Sequence, residues 1–165
     1  MLTHPRARAI GGLLALVMAA HSVADSDGPT EAELSGAWTC QSELVTETLA
    51  IRTEGVEEFH PSGEFRSEGE LTFHFSTGPL GELTYANRSA GQWRLSEGAL
   101  EVEIVVAEAR NTSHPELGDV MALENEQEPG FTDSLKITAF SEDTVSFESA
   151  SSGALLECRR AEGRG

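Results

Sequence analysis

The sequence predicts an all-β fold: an eight-stranded antiparallel up-and-down barrel with one short helix or lid segment after the fifth strand. Three observations lead there. Apolar and polar residues alternate with period two along most of the 165 residues, turn residues recur between the alternating runs, and the two cysteines fall on the first and last runs. A chain of this length with 39% hydrophobic residues forms one domain with a core. The net charge of −17 excludes nucleic acid as a partner, because phosphate binding needs a cationic face. Two cysteines are too few for a four-thiolate zinc site or a disulfide-dense miniprotein.

Residues 1–24 have the plan of a secretory signal peptide. Arg6 and Arg8 precede an apolar run from Ile10 to Ala20, and Ser22-Val23-Ala24 suits cleavage after Ala24. The run is shorter than the roughly 20 residues that span a bilayer, so no membrane span is expected. Removing Arg6 and Arg8 with this segment takes the charge from −17 to −19. A periplasmic or secreted monomer follows as the expectation. Residues 25–33 are polar and aperiodic and read as a flexible leader; residues 34–165 form the barrel domain.

The opening strand covers 36–41. In the next two runs Leu49, Ile51, Phe59, Phe65, Leu71, Phe73 and Phe75 are all odd-numbered, and Pro61-Ser62-Gly63 supplies a turn between them. A hairpin that pairs Phe59 with Phe65, Ile51 with Phe73 and Leu49 with Phe75 puts every large apolar group on one face. Val56 breaks the parity and points to a bulge. Downstream, Leu83, Tyr85, Trp93 and Leu95 share one parity and Leu100, Val102, Ile104 and Val106 the next, around a turn at Ser96-Glu97-Gly98-Ala99. Leu95 then faces Leu100, Trp93 faces Val102, and Gly91 lies opposite Ile104, leaving space for bending the sheet or for a ligand. Runs at 134–140, 144–149 and 154–160 complete eight strands. Between the fifth and sixth, Ser113-His114-Pro115-Glu116 has the form of a capping box, followed by Leu117, Val120 and Met121 at helical spacing. Leu117, Met121 and Leu123 also alternate, so 113–124 is a short helix or a strand, and either a lid or a surface excursion.

In a closed barrel with an even strand number the first and last strands are antiparallel neighbours. Cys40 on the first and Cys158 on the last then form a disulfide at the seam. With Cys40 facing Cys158, antiparallel counting sets Trp38 opposite Arg160, close enough for a guanidinium to lie over the indole.

Leu34-Ser35-Gly36-Ala37-Trp38, joined to a basic residue on the last strand, resembles the opening Gly-x-Trp motif and closing Arg of lipocalins and related calycin barrels. The resemblance is remote. It implies that Arg160, or else Arg159, packs on Trp38, and that the barrel holds a small apolar ligand.

No catalytic constellation emerges. His60, His74 and His114 fall in different elements, without a nucleophile-base pair or metal-ligand spacing. No enzyme activity, cofactor or metal is expected. Glu54, Glu57 and Glu58, and Glu116, Asp119, Glu124, Glu126 and Glu128, read as a solvated acidic face rather than a calcium site. The candidate site is the interior, lined by Phe73, Phe75, Tyr85, Asn87, Ser89 and Trp93 together with Leu49, Ile51, Val102 and Ile104. The interior is either a plain packed core or a cavity; the polar run Asn87, Ser89 and Gly91 at inward parity is the one feature that argues for a cavity, because a filled core prefers apolar groups there. The alternative function is a protein-binding scaffold such as a periplasmic protease inhibitor, with residues 25–33 as its blocking tail.

Overall fold

The computed structural model describes residues 28–79, 81–118 and 130–162. A single helical turn, α1 (Glu31–Leu34), precedes eight strands: β1 (Gly36–Val45), β2 (Leu49–Phe59), β3 (Glu64–Phe75), β4 (Glu82–Ser96), β5 (Ala99–Asn111), β6 (Phe131–Phe140), β7 (Thr144–Ser149) and β8 (Leu155–Arg160). Each strand pairs antiparallel with the next, and β8 returns to β1, closing an up-and-down barrel. Closure leaves no unpaired sheet edge running the length of the barrel.

Period-two alternation fixes the register as expected. Phe59 faces Phe65, Ile51 faces Phe73 and Leu49 faces Phe75; Trp93 faces Val102 and Leu95 faces Leu100. Cys40 faces Cys158 and is bonded to it, and Trp38 faces Arg160. The Arg160 guanidinium lies 4.1 Å from the centre of the Trp38 ring.

Two apolar clusters sit at different heights in the barrel. The larger contains Leu34, Trp38, Phe59, Phe65, Trp93, Leu100, Val145 and Phe147 with the disulfide; the smaller contains Phe73, Leu83 and Tyr85, with Leu49, Ile51, Leu71 and Phe75 packed against them. The larger cluster closes one end. There Leu34 is fully buried, its carbonyl accepts the Trp38 indole N–H at 2.8 Å, and Arg160 donates to the carbonyls of Glu33, Ser35 and Glu142. The β1–β2, β3–β4, β5–β6 and β7–β8 connections all lie at the other end, the mouth.

Four local expectations are corrected. The leader expected over 25–33 does not stay irregular throughout. Thr30 caps α1, its hydroxyl accepting from Glu33 N–H at 3.3 Å while the Glu33 carboxylate accepts from Thr30 N–H at 2.8 Å. Val56 is not at a bulge, since β2 and β3 pair without interruption and Val56 simply points outward opposite Glu68. The irregularities fall at Ala90/Gly91 in the β4–β5 pair and at Ile137/Ala139 in the β6–β7 pair. At the first, a Cβ on Gly91 would collide with the Glu103 carbonyl oxygen, so the space read beside Trp93 is occupied by the β5 backbone and serves to bend the sheet. Finally, Ser113 does not cap a helix. Its hydroxyl accepts from Thr84 N–H at 2.9 Å, and a lone 3-10 turn, Pro115–Leu117, follows without a side-chain cap. Asp119, Val120, Met121, Leu123, Glu124, Glu126 and Glu128, with the lid or excursion they were expected to form, lie outside the described residues, as does the signal segment at 1–24.

Candidate functional site

Between the two apolar clusters the inward side chains change character. Following the register around the wall, one inward row reads Trp38, Glu57, Ser67, Ser89 and Ala107. The adjoining row toward the mouth reads Cys40, Gly55, Gly69, Asn87 and Ala109, and the one beyond begins with Ser42 and Thr53. Apart from Trp38, the disulfide, Glu57 and Asn87, the members of the first two rows are Gly, Ala or Ser; the third row runs on to Leu71, Tyr85 and Asn111, where the mouth-side cluster begins. An eight-stranded barrel is only wide enough for its side chains to fill, and small residues on these adjoining rows fill it less than the aromatic clusters on either side. Ser67, Asn87, Ser89, Ala107 and Ala109 all keep partial exposure although they point inward. Gly55 and Gly69 lie directly opposite, and a Cβ on Gly55 would come 2.9 Å from the Gly69 Cα. The close approach of β2 and β3 therefore requires glycine at both positions.

The six lining residues read from sequence separate into three groups. Phe73, Phe75 and Tyr85 stand in the mouth-side cluster, Tyr85 fully buried and edge-on to Phe73 with ring centres 6.0 Å apart. Trp93 belongs to the closed end, edge-on to Phe59 and donating its indole N–H to the His60 carbonyl at 2.9 Å. Asn87 and Ser89 occupy the polar belt between them. The Asn87 Oδ1 is buried and accepts no hydrogen bond. A buried amide oxygen left in that state costs on the order of 1–3 kcal/mol.

Glu57 was missed. Grouped with Glu54 and Glu58, it read as part of a solvated acidic face; Glu54 is indeed exposed, but Glu57 points into the barrel beside Trp38 and Ser67. Its odd number, shared with Leu49, Ile51 and Phe59, was the signal that could have found it. The surrounding protein atoms push its carboxyl up from 4.5 to about 7, against a smaller opposite effect from the Ser67 hydroxyl, which donates to Oε1 at 3.0 Å. Among the described residues no Lys, Arg or His lies within ion-pair distance of it. The other inward acid, Asp133, is engaged by the Ser149 hydroxyl at 2.7 Å and by the Ser134 and Ser151 N–H groups. The inward cation, Arg160, is held on carbonyls at the closed end.

The outer wall offers less. Each histidine pairs with a carboxylate away from the lumen: His60 with Glu58 at 3.6 Å, His74 with Glu82 at 3.1 Å and His114 with Glu116 at 3.2 Å. A groove of about 500 Å³ over β2–β4 is lined by Val56, Glu58, Arg66, Glu68, Arg88 and Ala90 together with Ser67 and Ser89, but it is open, and Arg88 is already paired with Glu68 at 3.2 Å. No helix among the described residues is long and apolar enough to cross a membrane. Exposed Glu43, Arg52, Glu54, Arg66, Glu68 and Glu70 on the outer wall are the opposite of the apolar band of a transmembrane barrel. No family model matches the chain, and no curated protein matches it significantly in sequence.

Proposed function

We propose that this protein is an exported, lipocalin-like carrier that holds one small, mainly apolar molecule in the barrel lumen and performs no catalysis on it. The observation that carries this reading is the belt of small and polar inward residues between two aromatic clusters, with the Asn87 Oδ1 buried and unpaired. A pocket with apolar walls and a few placed polar groups is the usual form of a small-molecule site. The Trp38–Arg160 stack and the plugged end support the lipocalin likeness. Export, with cleavage after Ala24, is supported by the plan of residues 1–24 and by the seam disulfide, a bond of oxidising compartments. The inhibitor reading gains nothing from the fold. Thr30 to Glu33, the inner part of its tail, are tied down by the capping box and by the adjoining Leu34 in the core.

The test is titration with N-phenyl-1-naphthylamine, a neutral apolar fluorophore. Saturable one-to-one binding is expected in the wild type and its loss in A107F and S89L, which fill the belt from two strands. Circular dichroism checks that both variants are folded. Absence of saturable binding, or binding indifferent to both fillings, refutes the carrier reading. Native mass spectrometry of the purified protein checks the start at Asp25, the disulfide and any retained ligand.

A further inference from the structure

The polar groups of the lumen are unbalanced in a way that defines the ligand further. Glu57 presents a carboxyl with one hydrogen-bond donor on it, from Ser67, and no cation among the described residues. Asn87 presents a buried carbonyl oxygen with none. The two stand on β2 and β4, on adjoining inward rows, separated by one intervening strand and so by roughly 10 Å of wall. Both therefore ask for donors. The groups facing Glu57 are the Trp38 indole from β1 and the Ser67 hydroxyl from β3, with Ser89 next along the row. None of them carries a charge; the cation on the same row, Arg160 opposite Trp38, is held on the indole and on backbone carbonyls.

We infer that the lumen is specific for amines: a cationic amino head pairs with the Glu57 carboxylate beside the partly exposed Ser67 and Ser89, and the apolar body packs toward Phe75. This deepens the carrier reading and rests on it. The pair contributes specificity, because an uncharged analogue leaves the ionised carboxylate without a partner. A ligand of the opposite sign is repelled.

The experiment compares octylamine, octanol and octanoate, measured both by displacement of N-phenyl-1-naphthylamine and by titration calorimetry. The buffer is at pH 8 with physiological salt, so that the Glu57 carboxyl is ionised and attraction to the acidic exterior is screened. Octylamine is expected to bind at least tenfold tighter than octanol, and octanoate weakest. In E57Q the amine and alcohol should fall within threefold of each other, with circular dichroism showing that the variant is folded. E54Q, which removes an exposed carboxylate on the same strand, should keep the full preference. Equal affinity of amine and alcohol in the wild type, or a preference that survives E57Q, overturns the amine inference and leaves the carrier reading intact. If neither the fluorophore nor any octyl compound binds, both fall together.

Discussion

Replacing Glu57 by Gln separates the electrostatic cost of the site from its shape. Burial raises the Glu57 carboxyl from 4.5 to about 7, so between those values the folded state holds a proton that the unfolded chain has released. The sign follows directly: with more protons bound when folded, the Glu57 contribution to stability falls as pH rises from 4.5 to about 7 and levels off above. A tenfold change in proton affinity is worth about 1.4 kcal/mol, so the whole climb amounts to about 3 kcal/mol. Gln has the same shape, accepts the Ser67 hydroxyl and never ionises. E57Q and wild type should therefore unfold alike near pH 4.5, and by pH 8 the variant should be more stable by up to about 3 kcal/mol. Urea unfolding of both proteins at several pH values, followed by far-ultraviolet circular dichroism, measures the difference, in which the other 27 Asp and Glu residues cancel. If the variant and wild type show the same pH dependence, or if E57Q is the weaker protein at pH 8, Glu57 is not a buried, unpaired carboxyl and the site is misplaced.

Three further outcomes are expected. R160A loses the stack on Trp38 and the hydrogen bonds to the Glu33, Ser35 and Glu142 carbonyls, a loss of about 2–4 kcal/mol by denaturant unfolding; R160K should recover less than half, because a point ammonium does not reproduce the planar fork. The C40A/C158A pair removes a bridge between residues 118 apart and should lower stability by about 4–5 kcal/mol in the chain-entropy picture, seen as a lower urea midpoint than the oxidised wild type. L34A empties a fully buried position at the closed end and should cost about 2–5 kcal/mol in thermal or urea unfolding, whereas T30A, which removes only the cap, should cost about 0.5–2 kcal/mol.

The strands were legible because a one-residue slip turns every side chain to the other face, so alternation carries register as well as existence. Leu49, Ile51, Phe73 and Phe75 pair as their parity requires, and the seam followed from Cys40, Cys158 and an even strand number. Asn87 and Ser89 were legible by the same counting. Glu57 was hidden by its neighbours, since Glu54 and Glu58 are outward and the cluster reads as surface. Capping patterns carried no weight alone. Thr30-x-x-Glu33 forms the box and Ser113-x-x-Glu116 does not, because the Ser113 hydroxyl is taken by Thr84 on a neighbouring strand. Nor does sequence say where backbones nearly touch: the Gly91 bulge and the Gly55–Gly69 crossing are decided by how tightly the closed sheet must coil.

The return of β8 to β1 also brings the two ends of the barrel chain together. Ala161 N–H donates to the Ala37 carbonyl at 2.9 Å, and α1 and Arg160 share the plugged end. A tag, fusion partner or surface tether attached at either side therefore points away from the mouth. An immobilised barrel keeps its entrance turned to solution, and a new break in the chain at the β1–β2 turn, with the old ends joined by a short linker, gives a permuted barrel with both ends at the entrance.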